Sequence, residues 1–127
     1  MSSFMGVGAG VLKVISAKTA AYQIKEIDLG KIFTNRGAGG SVTFTLPKTT
    51  TLPAGWNCRF FGVADQNIVI ASYGSSDDIV THNEAGADTL TFSTAGDLIG
   101  VGVEMVWDGT SWLTFFNFND GVTVTIA

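Results

Sequence analysis

His82 is the one histidine of the chain and the first residue to consider for catalysis or metal binding. Asp77, Asp78 and Glu84 lie close to it in sequence, and an imidazole beside carboxylates can act as a general base or bind a divalent cation. Zinc sites use several His or Cys ligands, whereas this chain has one of each, far apart in sequence. We therefore predict that His82 is a solvated loop residue and that the protein has no metal and no cofactor.

Acidic side chains offer two other kinds of site. The carboxylates between Asp77 and Asp88 could supply oxygen ligands for Ca²⁺, although their spacing does not match an EF-hand or a repeat-type calcium loop. The 11 acidic residues also allow many carboxylate pairs of the kind that cleaves glycosidic bonds, and only the folded chain sets their separation. The sequence leaves both alternatives open.

Cys58 is the only cysteine, so no intrachain disulfide is possible. Strand alternation places it on the same face as Trp56 and Phe60. A catalytic thiol needs a positioned base and a third group that orients the base, and only His82 could be the base. Cys58 is therefore predicted to be a core residue.

The glycine-rich run Gly6-Val7-Gly8-Ala9-Gly10 has the composition of a phosphate-binding loop without its context. No strand precedes it, and no helix beginning with Lys-Ser or Lys-Thr follows it. We interpret residues 1–15 as a flexible N-terminal arm with the first strand, ahead of a β-domain at residues 16–127. The arm and its flank carry apolar residues that we predict to contact a partner or a neighbouring subunit. These residues are Phe4, Met5, Val11, Leu12 and Val14.

Composition and charge exclude several classes of protein. With 127 residues, 46% of them hydrophobic and 14% charged, the chain is predicted to fold as one domain around one core. The net charge is −4 and no basic residue follows Arg59, so the distal half would repel a nucleic-acid backbone. No uncharged apolar run is long enough to span a membrane. We expect neither nucleic-acid nor membrane binding, and a chain made in the cytoplasm.

Alternation with a period of two dominates the chain. A strand with one buried face is predicted where large apolar residues occupy every second position, at Ile99, Val101, Val103, Met105 and Trp107. Similar short runs recur, and a helical turn is indicated only within residues 16–25. The other predicted strands are at residues 22–27, 31–34, 42–46, 56–63, 67–71, 89–93 and 122–126. The fold class is predicted to be an all-β antiparallel sandwich, jelly roll or barrel of about eight or nine strands.

Two Asp-Gly pairs predict tight turns near the C-terminus. Asp108-Gly109 separates Trp107 from Trp112, and Asp120-Gly121 precedes the last strand. This dipeptide tolerates the positive φ angles of a hairpin turn. The last 30 or so residues are thus predicted to form a three-stranded meander in which the two tryptophans pack together.

Sugar-binding grooves usually expose aromatic side chains, and five Trp and Tyr residues are candidates for this role. Strand alternation assigns three of them to the core. Tyr73 lies beside Gly74 in a polar turn and is predicted to be exposed. The five residues are Tyr22, Trp56, Tyr73, Trp107 and Trp112.

Two sequence elements resemble a β-domain of tailed-phage virion proteins, a family that includes capsid decoration proteins and tail-fibre tips. The first is Gly30 to Pro47, which reads GKIFTNRGAGGSVTFTLP. The second is Trp107-Asp108-Gly109-Thr110-Ser111-Trp112, and the likeness spans roughly Ala17 to Phe118. These elements are signatures of turns and packed strands, so they identify a domain better than a function.

This resemblance implies a structural protein and not an enzyme. A fibre tip normally follows a long shaft, whereas this chain begins at Met1 almost directly at the domain, which favours a capsid decoration or cement protein. The family comparison implies a homotrimer bound to the major capsid protein on the outer surface of the head, assembled in the host cytoplasm. The alternative is a receptor- or carbohydrate-binding protein of the virion tail, and a small depolymerase ranks third.

Overall fold

The computed structural model describes residues 12–117 and 121–127, and these residues are nearly all β. They form twelve strands and two short 3₁₀ turns, the latter at Glu26–Asp28 and Tyr73–Ser75. The strands are β1 (Ile15–Ala17), β2 (Tyr22–Gln23), β3 (Ile32–Thr34), β4 (Val42–Thr45), β5 (Asn57–Phe61), β6 (Ile68–Ala71), β7 (Ile79–Thr81), β8 (Glu84–Ala87), β9 (Thr89–Ser93), β10 (Gly102–Trp107), β11 (Trp112–Asn117) and β12 (Thr123–Ile126).

The strands form two mixed sheets that pack face to face. The larger has the order β1-β3-β5-β10-β11-β7-β8 and the smaller the order β12-β9-β6-β4-β2. The first six strands alternate between the two sheets along the chain. Parallel neighbours need a crossover connection, and here the intervening strand of the other sheet provides it. As a result β1, β3 and β5 run parallel, as do β2, β4 and β6.

The prediction of an antiparallel fold with eight or nine strands was therefore wrong in two respects. The sheets are mixed, and the described residues contain twelve strands. Alternation reports which face of a strand is buried, but it carries no information on the direction of the neighbouring strand. The all-β class and the packing of two sheets agree with the prediction.

The core between the sheets contains two aromatic clusters. Phe33, Phe44 and Phe60 have ring centroids 5.0 to 5.8 Å apart and are almost completely buried. The Trp112 ring lies 5.9 Å from that of Trp56 and 5.4 Å from that of Trp107. Burying an aromatic side chain contributes roughly 1.5–3 kcal/mol, so these rings account for much of the stability of the fold.

The predicted C-terminal meander is only half correct. β10 and β11 form the expected hairpin, with Trp107 paired to Trp112 and Gly109 at a φ of +98°. The Asp108 carboxylate accepts hydrogen bonds from the backbone N–H groups of Ser111 and Thr110, and these bonds lower the pKa of Asp108. β12, however, pairs with β9 in the other sheet, so the last strand leaves the hairpin.

Three local predictions also differ from the structure. Ile99 is exposed and precedes the strand, because Gly100 at φ +94° turns the chain before β10 begins. No helical turn forms within residues 16–25, and the nearest is the 3₁₀ turn Glu26–Asp28. The polar stretch around His82 contains two unpredicted strands, β7 and β8, whereas His82 itself is exposed in the turn between them, as predicted.

The first element of the phage resemblance begins beside a buried carboxylate, Asp28. Its side chain is 2% exposed; it accepts hydrogen bonds from the Lys25 N–H at 2.9 Å and the Tyr22 hydroxyl at 3.0 Å, and lies 2.7 Å from Lys31 Nζ. Burial alone would raise the pKa of Asp28, but the hydrogen bonds from Lys31, Lys25 and Tyr22 outweigh it and hold the pKa below its usual range. This cluster ties the 3₁₀ turn to the strands on both sides.

Candidate interaction surface

The outer face of the seven-stranded sheet is unusually apolar. On β5, Phe60 points into the core and is 2% exposed, whereas Phe61 points outward and is 41% exposed. On β11, Phe116 contacts the core and Phe115 is 56% exposed on the outer face. Neighbouring residues of a strand point to opposite faces, so each Phe-Phe pair places one ring in solvent.

The strand register aligns the outward side chains into two rows across five strands. The first row contains Ile15, Ile32, Arg59, Glu104 and Phe115. The second row, two residues further along β1, contains Ala17, Thr34, Phe61, Gly102 and Asn117. Together with Arg36 and Val63, these rows line an open groove of about 820 Å³, which we call the outer groove.

Gly102 gives the outer groove its depth. A Cβ atom added at Gly102 would lie 2.6 Å from the carbonyl oxygen of Phe60, closer than real Cβ atoms come to backbone. The position therefore has no side chain, and the floor of the groove there is bare backbone beside the Phe61 ring.

The charged side chains of the outer groove largely compensate one another. Arg59 Nη2 lies 3.6 Å from Glu104 Oε1, and both side chains are partly exposed. Such a surface ion pair contributes little to stability, but it leaves the centre of the groove without net charge. Arg36, the remaining charged residue of the lining, is exposed to solvent. A mainly apolar groove lined by aromatic rings is suited to bind apolar side chains of another polypeptide segment.

The predicted contact residues either precede the edge strand of this groove without lining it or lie outside the described part of the chain. Leu12 is 77% exposed and Val14 is 57% exposed, and both lead into β1, which forms the edge of the groove. Phe4, Met5 and Val11 lie outside the described residues. The glycine-rich run Gly6 to Gly10 lies outside them as well.

His82 occupies the turn of the β7–β8 hairpin and not a cluster of carboxylates. It adopts a φ of +46°, its Nδ1 lies 2.8 Å from the Thr81 hydroxyl, and its ring centroid is 4.7 Å from that of Phe116. Across residues 12–117 and 121–127, no three His, Cys, Asp or Glu side chains are grouped to hold a metal ion. The structure thus places His82 against an aromatic ring.

Cys58 and the aromatic candidates lie where alternation predicted. Cys58 is fully buried, and burial raises the pKa of its thiol well above the usual range. The three tryptophans are buried, which confirms their assignment to the core. Tyr73 is 38% exposed, as predicted, with Lys48 Nζ 5.9 Å from its ring.

The sequence interpretation missed the residues that define the outer groove, chiefly Phe61 and Phe115. The signal was present in the pairs Phe60-Phe61 and Phe115-Phe116, because two consecutive aromatic residues on a strand cannot both be buried by one core. Only the register, however, shows that the two exposed rings share one face.

Comparison with models of known protein families finds none that matches the chain, and no curated protein matches its sequence. Within the residues that the structure describes, no helix is long and apolar enough to cross a membrane.

Proposed function

We propose that this protein is a non-catalytic structural subunit of a tailed-phage virion, namely a capsid decoration protein. In this proposal it forms a homotrimer that binds the major capsid protein on the outer surface of the head. The observation that carries the proposal is the outer groove, because a contiguous apolar surface with exposed Phe61 and Phe115 rings favours a protein–protein interface. The choice of a phage head as the assembly rests on the sequence resemblance.

The buried residues of the two resembling elements support this assignment. In the first, Phe33, Asn35 and Phe44 are completely buried, and in the second Trp107 and Trp112 pack against each other. Part of the likeness therefore lies in residues that build the core, as expected for a shared fold. These core residues support the assignment to the family, whereas the binding partner depends on the surface residues.

A decoration protein would act through mass action. It binds the assembled lattice of capsid protein and not the dispersed subunits, so its binding free energy adds to the stability of the shell. The contact would include the residues around the start of the β-domain, namely Phe4, Met5, Val11, Leu12 and Val14, against the capsid or a neighbouring subunit. The acidic side chains of the distal half that do not line the outer groove would face solvent.

The copy number of the chain in purified particles tests the proposal. A decoration protein is expected in hundreds of copies on the head, visible as regular density in cryo-electron microscopy and as a strong band on a quantitative gel. A few copies at the tail, or none in the particles, would contradict the assignment.

The alternative is a receptor- or carbohydrate-binding protein of the tail, and exposed Tyr73 is the observation that favours it. Aromatic rings at a surface stack on the apolar faces of sugars. A glycan-array screen of the full chain with a Tyr73→Ser variant distinguishes the two functions. Glycan binding that Tyr73→Ser abolishes would support the alternative, and the absence of binding would favour decoration.

A further inference from the structure

The outer groove is an open, mainly apolar surface feature whose occupant the fold does not specify. We propose that it binds residues Met1–Val11 of a second copy of this chain. This inference rests on the homo-oligomer of the proposed function and does not depend on the capsid. It assigns the groove as the contact between copies and names the segment that fills it.

The chemistry of the segment matches that of the groove. Residues 1–11 carry no charged side chain, and their apolar side chains are separated by Ser, Gly and Ala. These apolar residues are Met1, Phe4, Met5, Val7 and Val11. The groove offers apolar walls at Ile15, Phe61 and Phe115, and the Arg59–Glu104 pair compensates its central charges. Arg36 also lines the groove, but it is exposed and can stay solvated, so the contact would bury mainly apolar surface, which is favourable.

The direction of the chain favours a second copy over the same copy. The Val14 carbonyl accepts a hydrogen bond from the Ile32 N–H at 2.9 Å, so the chain before Ile15 continues along β3. The groove extends from the Ile15 row towards Ala17, Thr34 and beyond. The chain that runs backwards from Ile15 to Leu12 therefore leads away from the groove. Residues that precede Leu12 can reach a neighbouring copy if the chain keeps this direction, whereas they can reach their own groove only if the chain reverses direction.

The length of the segment is sufficient. Eleven residues span at most about 36 Å when extended. The five strands that line the groove are four spacings wide, which is about 19 Å. The segment can therefore cross the groove of a neighbour and leave several residues as a connection. Three glycines in the segment, Gly6, Gly8 and Gly10, permit close approach to the bare backbone at Gly102.

Disulfide trapping between two full-length chains tests the assignment. One chain carries Phe4→Cys and the other carries Phe115→Cys, and the native Cys58 is fully buried. The matched control replaces Phe115→Cys by Ile27→Cys, because Ile27 is 85% exposed and does not line the groove. Under mild oxidation the Phe4→Cys and Phe115→Cys chains are expected to give a linked dimer far faster than the control mixture. Equal rates in the two mixtures would overturn the assignment.

A double variant distinguishes binding of the segment to a second copy from binding within the same chain. A single chain with both Phe4→Cys and Phe115→Cys is oxidised at low concentration and run on a non-reducing gel. Linked dimers and larger species are expected because the segment binds a neighbour. A cross-linked monomer as the main product would overturn the assignment to a second copy.

Self-association measured by sedimentation provides an independent readout. Phe61→Thr with Phe115→Thr is expected to weaken association by about tenfold or more, the size expected when aromatic anchors are removed. Ile27→Ser should leave association unchanged. Threonine suits a strand, and unchanged circular dichroism would show that the double variant folds.

The most discriminating test mixes a variant with an altered groove and a variant with an altered segment. Phe61→Thr/Phe115→Thr retains an intact segment, and Phe4→Ser/Met5→Ser retains an intact groove. An equimolar mixture is expected to associate more tightly than either variant does alone. Failure to do so would overturn the proposal. If the chain self-associates through the groove but is absent from purified particles, the result contradicts the proposed function and leaves the assignment of the groove standing.

Discussion

The side-chain amide of Asn35 and the backbone of Ala64 exchange two hydrogen bonds across the fold. Asn35 Oδ1 accepts from the Ala64 N–H at 2.9 Å, and Asn35 Nδ2 donates to the Ala64 carbonyl at 3.0 Å. The same Oδ1 accepts from the Val63 N–H at 2.8 Å. Asn35 is completely buried and lies at the end of β3, so one side chain satisfies the backbone of the turn that follows β5.

Asn35→Ala is expected to lower the free energy of unfolding by about 2–4 kcal/mol. The reason is that it leaves the part-buried N–H groups of Val63 and Ala64 without the Asn35 acceptor, each at roughly 1–3 kcal/mol before relaxation. Chemical denaturation monitored by tryptophan fluorescence gives the value. Asn117→Ala removes one exposed hydrogen bond to Gly100 and is the matched control, with an expected loss under about 1 kcal/mol. Equal losses in the two variants would contradict this role of Asn35.

Asp28→Asn is expected to destabilise the protein at neutral pH and much less at acid pH. The folded-state pKa of Asp28 lies below its usual range, so the carboxylate stabilises the fold above the ordinary aspartate pKa. That contribution is lost as the pH falls through the folded-state pKa. At pH 7 the loss should be about 2 kcal/mol, and it should shrink as the pH falls below the ordinary aspartate pKa of about 3.9.

Denaturation curves over this pH range measure the effect of Asp28→Asn. Glu26→Gln changes an exposed acid of the same 3₁₀ turn and is the matched control, with a smaller expected loss of stability at pH 7. A constant difference between the Asp28→Asn and parent proteins at all pH values would show that the carboxylate charge is irrelevant.

Gly102→Ala is expected to cost about 1–3 kcal/mol of stability, because the new methyl group would meet the Phe60 carbonyl oxygen at 2.6 Å. Gly39→Ala is the matched control, since a Cβ there meets nothing within 4 Å and its φ is not in the left-handed region. The control should be neutral or slightly stabilising. Thermal unfolding of both variants checks the comparison, and an unaffected Gly102→Ala protein would show that β5 and β10 can move apart.

The Cys58 thiol is expected to react with a disulfide reagent only when the protein unfolds. Burial removes access and raises the pKa of the thiol, so little thiolate is present. The labelling rate should therefore rise with denaturant concentration in parallel with the fraction of unfolded protein. Ser41→Cys, at an exposed position just before β4, should react at once under native conditions. Fast native labelling of Cys58 would show that the core opens locally.

Much of the fold could be predicted from local pattern. The period-two runs, Cys58 on the Phe60 face and the Asp108-Gly109 hairpin all follow from rules that act over a few residues. The outer groove could not be predicted in the same way, because it depends on which strands are neighbours. Phe61 and Phe115 are distant in sequence, and they share a face only because β10 lies between β5 and β11.

The sequence by itself determined the all-β class, the buried tryptophans and the absence of any disulfide framework, because alternation and composition are properties of the chain. Only the tertiary structure decided the mixed direction of the strands, the departure of β12 to the second sheet and the site of the apolar face. These features depend on the pairing of strands that are separated in sequence. Each strand's own pattern sets its buried face, but many pairings would bury the same faces equally well, and the packing of the whole core selects among them.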